Sequence, residues 1–181
     1  MKATVYIATS LDGFIARADG SLDWLPGADG SGSGSGDGED YGYAAFMESI
    51  DTLVMGRNTY ETVLGFGDWP YRVPVVVLSS RPLEVPAELR GRVDVLSGAP
   101  GEIVAQLAAR GTESLYIDGG VTIQRFLEAG LIQRLIVTRV PVLIGSGLPL
   151  FGPLQKDIPL RHVETRSFPS GLVQSVYDVG A

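Results

Sequence analysis

The 181-residue chain contains no cysteine, a single histidine (His162) and only two lysines (Lys2 and Lys156). Without cysteine there is no disulfide, thiolate metal site or cysteine nucleophile, and one histidine excludes histidine-cluster metal sites and histidine-based triads, so we expect no metal centre. The positions of the two lysines exclude a Walker-type phosphate loop. The chain also lacks an apolar run of ~18 residues, and the stretch before Asp12 is too short for a signal peptide. These absences predict a soluble cytoplasmic protein without a membrane partner.

Basic residues are scarce in the first part of the chain. The formal net charge is −7, and residues 1–51 carry nine acidic residues against Lys2 and Arg17. Residues 52–181 are balanced, with twelve acidic and twelve basic residues. A nucleic-acid partner would need a basic face, so we expect none. Any anion-binding surface is expected in the later part.

Short apolar runs alternate with helix-like segments, which is the pattern of an α/β domain with a largely parallel sheet. The run Val73–Leu78 is apolar without alternation, as expected for a strand covered on both faces. The predicted strands are residues 4–8, 52–55, 73–78, 93–96, 114–117 and 135–140, and the predicted helices are residues 40–50, 58–64, 101–110 and 120–129. Residues 160–168 and 172–179 predict an antiparallel hairpin. We expect one domain over residues 1–181.

Residues 27–38 contain only Gly, Ser, Ala and Asp. No side chain there can build a core, so the segment predicts a flexible loop. No strand leads into its glycines, which argues against a dinucleotide-binding fingerprint. We expect this loop to act as a lid over a substrate.

Three segments place anion-binding groups directly after predicted strands. Gly56-Arg-Asn-Thr59 enters a helix that Asn58 or Thr59 could cap, Ser79-Ser-Arg81 leaves a buried strand, and Asp118-Gly-Gly120 precedes another helix. Ligands of parallel sheets bind beyond the carboxyl ends of the strands, and helix starts offer free backbone N–H groups to anions. Each segment alone could be a turn, a strand end or a surface charge. Because all three recur in the same context, they predict a site for a phosphorylated nucleotide.

The same segments carry a family resemblance. Met55–Glu61 and Leu78–Arg81 are similar to dihydrofolate reductases. Asp118–Gly120, Phe126–Leu131 and Gly145–Gly147 are more similar to the branch related to the C-terminal reductase domain of the bacterial riboflavin-biosynthesis bifunctional deaminase–reductase. As a set, these motifs resemble that branch of the dihydrofolate reductase-like fold over nearly the whole chain.

The resemblance implies a three-layer α/β/α fold whose mostly parallel central sheet ends in an antiparallel C-terminal hairpin. It also implies an oxidoreductase that uses NADPH to reduce a C=N or C=O bond of a pterin- or pyrimidine-like substrate, as dihydrofolate reductase and 5-amino-6-(5-phosphoribosylamino)uracil reductase do. The alternative is a non-catalytic nucleotide-binding sensor or an assembly protein on the same fold. Apolar residues in the segment 141–151 favour a two-fold homodimer.

The resemblance implies how NADPH is bound. Arg57, Ser79, Ser80 and Arg81 match the positions that hold the adenosine-side phosphate, and a planar guanidinium suits a phosphate because it forms two parallel charged hydrogen bonds. Other matched positions admit the pyrophosphate or hold the nicotinamide carboxamide through backbone groups. The peptide between the two glycines is expected to be cis. The full set of expected cofactor-binding residues is Ala8, Ile15, Gly56, Arg57, Asn58, Thr59, Ser79, Ser80, Arg81, Gly119, Gly120, Val121 and Thr122.

The source of the proton is left open between three carboxylates and water. Asp40 stands at the distance before Gly56 at which dihydrofolate reductases carry a carboxylate, although it could equally cap a helix. Asp29 competes through local similarity. Asp118 occupies a position at which the riboflavin-type branch carries an acid, and its alternative role is to accept N–H groups of the glycine turn. Thr138 resembles the hydroxyl that supports the acid in dihydrofolate reductases.

Trp24 and Phe46 are expected to contact the substrate, and desolvation by either of them or by Ile15 would raise the pKa of Asp118. The first 51 residues, which should form the substrate pocket, are acidic. We therefore expect a neutral or weakly basic heterocyclic or carbonyl substrate rather than a sugar phosphate.

Overall fold

The computed structural model of the protein describes residues 1–26 and 39–180. The predicted lid, residues 27–38, lies outside the described residues, and so does the candidate proton donor Asp29. No helix in the described part of the chain is both long enough and apolar enough to cross a membrane.

The strands of the described chain are β1 (Lys2–Ser10), β2 (Phe14–Ala16), β3 (Thr52–Gly56), β4 (Val75–Leu78), β5 (Val93–Leu96), β6 (Ser114–Asp118), β7 (Arg134–Val140), β8 (Leu148–Pro149), β9 (Leu160–Ser167) and β10 (Val173–Val179). The larger sheet has eight strands in the order β5-β4-β3-β6-β1-β7-β10-β9, and β2 pairs with β8 in a small second sheet. In the larger sheet, the six consecutive strands from β5 to β7 are parallel to one another, whereas β10 runs antiparallel to both β7 and β9. The predicted mostly parallel sheet with an antiparallel C-terminal hairpin is confirmed.

Alternate residues of the central strands face two separate cores, because side chains along a strand point to opposite faces of the sheet. In β3, for example, Val54 packs into one buried cluster, whereas Leu53 and Met55 pack into the other. In β6, Ile117 belongs to the first cluster and Tyr116 to the second. Both faces are covered, which explains the unbroken apolar run that the sequence shows at β4.

The helices that cover these faces are α1 (Tyr43–Glu48), α2 (Arg57–Leu64), α3 (Pro100–Ala109) and α4 (Gly120–Glu128), with a 3₁₀ turn at Ala87–Leu89. Side chains of α1 and α2, such as Phe46 and Tyr60, lie in the second cluster, whereas Ile103 of α3 and Phe126 of α4 lie in the first. The architecture is therefore the expected three layers, α/β/α.

Helix α1 is shorter than the predicted helix over residues 40–50. Tyr41 and Gly42 have φ values of 56° and 80°, so neither can begin a right-handed helix. The Asp40 carboxylate accepts the backbone N–H groups of Gly42 at 2.9 Å and Ala44 at 3.1 Å, which delays the start to Tyr43. At the other end, the Ser49 hydroxyl donates to the Phe46 carbonyl at 2.6 Å, which satisfies one of the free carbonyls of the last turn.

Strands β2 and β8 have no counterpart among the predicted elements, because three and two residues are too few to show a period. Asp12 joins this region to the rest of the fold. Its carboxylate accepts the Ser10 hydroxyl at 2.6 Å and the backbone N–H groups of Ile144 at 3.3 Å and Gly145 at 2.7 Å. The residue therefore fixes the loop before β8 against the end of β1.

Candidate active site

Neighbouring parallel strands end together at one edge of the sheet. Gly56 at the end of β3 pairs with Leu78 at the end of β4, and Met55 pairs with Asp118 at the end of β6. The segments Gly56–Thr59, Ser79–Arg81 and Asp118–Gly120 therefore leave the sheet side by side. This is the edge at which ligands bind in open parallel sheets.

A cavity of about 270 Å³ lies beyond this edge, and we call it the arginine cavity. Three guanidinium side chains line it, from three different elements: Arg57 opens α2, Arg81 follows β4, and Arg125 lies on α4. The other lining residues are Asn58, Leu78, Ser79, Ser80, Ser97 and Gly98. Hydroxyls and guanidiniums around one small cavity are the donor set that a phosphate requires.

The three arginines differ in how they are held. Arg57 is half-buried; its Nε donates to Glu61 at 2.7 Å and its Nη1 to the Pro82 carbonyl at 3.2 Å. Arg125 makes one long hydrogen bond, from Nη2 to the Gly98 carbonyl at 3.4 Å. Within the described chain, neither Arg81 nor Arg125 forms an ion pair. The positive charge of the cavity is therefore only partly neutralised.

Arg125 has no place in the sequence prediction. An arginine in the last turn of a helix is adequately explained by its favourable interaction with the helix dipole, so its position in α4 gives no signal of a ligand. The side chain shares a cavity with Arg57 and Arg81 only because α4 packs against β3 and β6 in the folded chain.

The two glycines after β6 form a turn in close contact with the start of α2. Gly119 has a φ of 89°, which disfavours any other residue, and a Cβ there would overlap the Thr59 hydroxyl. A Cβ at Gly56 would lie 2.9 Å from the Thr122 hydroxyl. A side chain at either position would therefore displace a threonine of the neighbouring helix, because the starts of α2 and α4 lie against each other.

Two local expectations at this turn are wrong. The peptide between Gly119 and Gly120 is trans, as are the other peptide bonds of the described residues; the positive φ of Gly119 makes the sharp turn instead. Neither Asn58 nor Thr59 caps α2, because the helix begins one residue earlier, after Gly56, without a side-chain cap. Asn58 instead lines the arginine cavity, and Thr59 contacts Gly119.

The two residues expected at the nicotinamide end lie on adjacent elements. A Cβ at Gly120 would lie 2.8 Å from the Ile15 Cδ1 atom, so β2 packs directly on the glycine turn. Ala8 lies on β1, opposite Thr138 of β7. Val121 is 71% exposed at the start of α4, whereas Thr122 is buried.

Asp118 is half-buried at the end of β6, and its Oδ1 accepts the Gly119 N–H at 2.8 Å. Burial raises the pKa of this carboxyl to about 6, against the opposing effect of that hydrogen bond. Burial is the main cause that raises the pKa of Tyr43 to about 12 and that also raises the pKa of Tyr71. The charge of Asp118 is the second cause at both tyrosines. Asp118 therefore lies close to tyrosine side chains and keeps its proton up to about pH 6, well above the range of an ordinary carboxyl.

Phe46 lies in this aromatic group. Its ring stacks on Tyr6 at a centroid distance of 5.0 Å and meets Tyr116 edge-on at 5.0 Å. Trp24 does not join the group. It packs in a third cluster with Val140 and Leu172, so the structure does not bring the two expected substrate residues into one contact.

The other two candidate catalytic residues have structural partners. Asp40 is exposed, and its hydrogen bonds with Gly42 and Ala44 lower its pKa, which suits a helix cap rather than a proton donor. Thr138 is buried, and its hydroxyl accepts the Gln174 amide at 3.0 Å. Within the described residues, the Thr138 hydroxyl therefore bonds to an amide and not to one of the candidate acids.

Gln174 is the centre of a polar network that the sequence analysis missed. Besides Thr138, its amide donates to the Tyr6 hydroxyl at 3.2 Å and the Tyr41 carbonyl at 3.2 Å. The Tyr6 hydroxyl in turn donates to the same carbonyl at 2.8 Å. The network ties the chain before α1 to β1, β7 and β10.

The strand order, the layers and the cavity at the carboxyl edge together define a dihydrofolate reductase-like protein. Dihydrofolate reductase from Enterococcus faecalis, solved with NADP(H), has a TM-score of 0.64 to this structure over 98% of this chain and 94% of its own, at 21% identity. At that identity the likeness shows the shared fold. The chain itself belongs to the RibD C-terminal domain family, whose model matches residues 2–174.

Two relatives are more similar. The YwjB protein of Bacillus subtilis is 34% identical over 170 residues, which cover 92% of each chain. A putative riboflavin biosynthesis protein from Shewanella sp. PV-4 has a TM-score of 0.90 and 44% identity, over 99% of both chains. Membership of this family supports a reductase activity.

Proposed function

We propose that the protein is an NADPH-dependent reductase that acts on a C=N or C=O bond of a small uncharged heterocycle of the pterin or pyrimidine kind. The observation that carries the proposal is the arginine cavity, which shares one sheet edge with the glycine turn and with the half-buried Asp118. The groups that we propose for phosphate recognition, for close approach of the backbone to the cofactor and for proton supply therefore lie at the same edge of the sheet.

The cavity suits the extra phosphate that distinguishes NADPH from NADH. Arg57, Arg81 and Arg125 bring three positive charges, and Glu61 offsets only one of them. Ser80 adds a hydroxyl donor, whereas the Ser79 hydroxyl already donates to the Arg81 carbonyl at 2.7 Å. A phosphate dianion would be matched in charge by this set and met by planar guanidiniums.

The glycine turn suits the pyrophosphate. Helices α2 and α4 both begin without a side-chain cap, so their first backbone N–H groups are open to an anion. Gly56 and Gly119 allow the two helix starts to lie together. Backbone groups of Ala8 and Ile15, on β1 and β2, would hold the nicotinamide end.

A bound NADPH would supply the hydride that reduces the carbon of the C=N or C=O bond, with NADP⁺ as the oxidised product. The nitrogen or oxygen of that bond must then gain one proton. We propose that Asp118 supplies it from the end of β6, because a carboxyl with a pKa of about 6 is still protonated in about one molecule in ten at pH 7. Solvent restores that proton after each turnover.

The charge distribution supports an uncharged substrate. Lys2 and Arg17 are the two cations of the first 51 residues. Lys2 begins β1, at the end of the sheet opposite the candidate site. Arg17 is paired with Asp23 at 2.6 Å. Neither is available to hold a phosphorylated ribose in this half of the protein.

Thermal unfolding with NADPH and NADH side by side tests the cofactor. A ligand at 100 times its dissociation constant stabilises the fold by about 2.7 kcal/mol, which raises Tm by about 5–10 °C in a chain of this size. We expect this shift with NADPH and a much smaller one with NADH. Arg81→Gln should abolish the difference, whereas Arg166→Gln, which removes the same charge from β9 at the far side of the sheet, should retain it.

Consumption of NADPH with a panel of pterins, pyrimidines and quinoid carbonyls then tests the reaction. The proposal is supported if the wild type reduces one of these compounds and the Asp118→Asn variant does not. Tight binding of NADPH without turnover of any of these compounds would instead support a nucleotide-binding sensor. Tight, phosphate-dependent binding of the riboflavin-pathway intermediate would contradict the proposal that the substrate is uncharged.

A further inference from the structure

The arginine cavity contains one cation that comes from a different part of the chain than the other two. Arg57 and Arg81 belong to the segments after β3 and β4, whereas Arg125 reaches the cavity from the last turn of α4. We propose that Arg125 is a specificity-determining residue that selects the phosphorylated dinucleotide over the unphosphorylated one. This inference rests on the proposed function, because it concerns the same cofactor site.

Among the described residues, no carboxylate pairs with Arg125. Its one hydrogen bond goes to a neutral acceptor, the Gly98 carbonyl, and is long at 3.4 Å. Arg57, in contrast, shares its charge with Glu61 at 2.7 Å. A guanidinium that is held by a carbonyl retains its full positive charge for an anion, because the carbonyl cancels none of it.

The carboxylate of Glu102, which lies near the Gly98 loop, already accepts a backbone hydrogen bond. Glu102 lies beside Gly98, where a Cβ would come within 2.7 Å of its Oε2 atom. That same oxygen accepts the backbone N–H of Ala99 at 2.8 Å, as the cap of α3. Glu102 therefore stabilises the start of α3 and does not pair with Arg125 in the described structure.

Arg125 lines the same cavity as Arg57 and Arg81. An anion bound in that cavity would therefore meet a guanidinium from α4 as well as those from the segments after β3 and β4. The Arg125 side chain is exposed, so it adds little to the core and can be changed without disrupting the fold.

The test compares dissociation constants for NADPH and NADH, and for the fragments 2′,5′-ADP and 5′-AMP, in the wild type, Arg125→Gln, Arg125→Lys and the charge-matched control Arg166→Gln. Loss of one hydrogen bond between a guanidinium and a phosphate typically weakens binding by about 10- to 100-fold. We expect Arg125→Gln to raise the dissociation constants of NADPH and 2′,5′-ADP by that factor. Those of NADH and 5′-AMP should change by less than about threefold. Arg125→Lys should recover part of the loss, because it keeps the charge but not the planar fork.

An equal loss for both members of each pair would overturn the inference, since it would mean that Arg125 stacks on the adenine or only positions the Gly98 loop. Unchanged constants for Arg125→Gln, in a wild type that prefers NADPH, would also overturn it while leaving the proposed function intact. A wild type that binds NADPH and NADH equally, or binds neither, contradicts the proposed function itself, and the inference falls with it. Circular dichroism and Tm of each variant establish that the fold is retained.

Discussion

Replacing Asp118 with asparagine should stabilise the protein and abolish the proposed reductase activity. The substitution removes the ionisable group but keeps its shape and the oxygen that accepts the Gly119 N–H at 2.8 Å. Burial raises the pKa of Asp118 from the ordinary 3.8 to about 6, so the ionised carboxylate is held in the fold at a cost. At about 1.4 kcal/mol per pH unit, that cost is about 2–3 kcal/mol.

The direction in which stability changes with pH follows from the number of protons bound by the folded and the unfolded chain. Below about pH 4 the carboxyl is protonated in the folded and the unfolded chain, and the two proteins should be similar in stability. Between about pH 4 and pH 6 the unfolded chain loses its proton first, so the free energy of unfolding of the wild type falls as the pH rises. Above that window the loss is complete, and Asp118→Asn should be more stable by the full amount.

Urea denaturation at intervals from pH 4 to pH 8 measures this difference. Asp40→Asn is the matched control, because hydrogen bonds lower the pKa of Asp40 and its replacement should therefore reduce stability at neutral pH. In the reaction, kcat of the wild type should fall about tenfold per pH unit above pH 6, and the variant should be slower by about 100-fold or more at pH 6. If Asp118→Asn is no more stable than the wild type at pH 8, the buried-carboxylate argument is wrong.

Two further substitutions probe the architecture of the site. Gly119→Ala should lower stability by about 1–3 kcal/mol and weaken NADPH binding, because alanine is strained at a φ of 89° and its methyl group would overlap Thr59; Thr59→Ala should relieve part of this loss, and a fully wild-type Tm and Kd for Gly119→Ala would contradict the close contact. Gln174→Leu should lower the free energy of unfolding by about 2–3 kcal/mol in urea denaturation, because the Tyr6 hydroxyl and the Tyr41 carbonyl lose a buried donor. An unchanged urea midpoint would show that this network is replaced by water.

The sequence predicted the sheet well, because periodicity and apolar runs are local properties. The strand over residues 93–96 was predicted with the bounds that the structure shows, and Gly120 was correctly expected to begin a helix. The start of α1 was missed, since it depends on the left-handed Tyr41 and on the Asp40 cap. Strands β2 and β8 were missed because such short strands exist only through their pairing.

The site was predictable where its residues adjoin strand ends, and not where it depends on packing between distant elements. Gly56, Arg57, Ser79–Arg81 and Asp118–Gly120 follow parallel strands, so the sheet alone brings them to one edge. Arg125 and Gln174 reach their partners from a helix and a C-terminal strand that the chain places far away in sequence.

By itself, the sequence determined which segments form the larger sheet and which charged and glycine residues lie at its carboxyl edge. Both follow from hydrophobic periodicity and turn composition, which are properties of the local sequence. The tertiary structure alone decided which carboxylate keeps a proton. Asp40 and Asp118 have the same chemistry, but exposure and two N–H donors favour the ionised form of one, whereas burial beside tyrosines favours the protonated form of the other. Solvation and hydrogen bonding are set by neighbours in space, and those neighbours are chosen only when the chain folds.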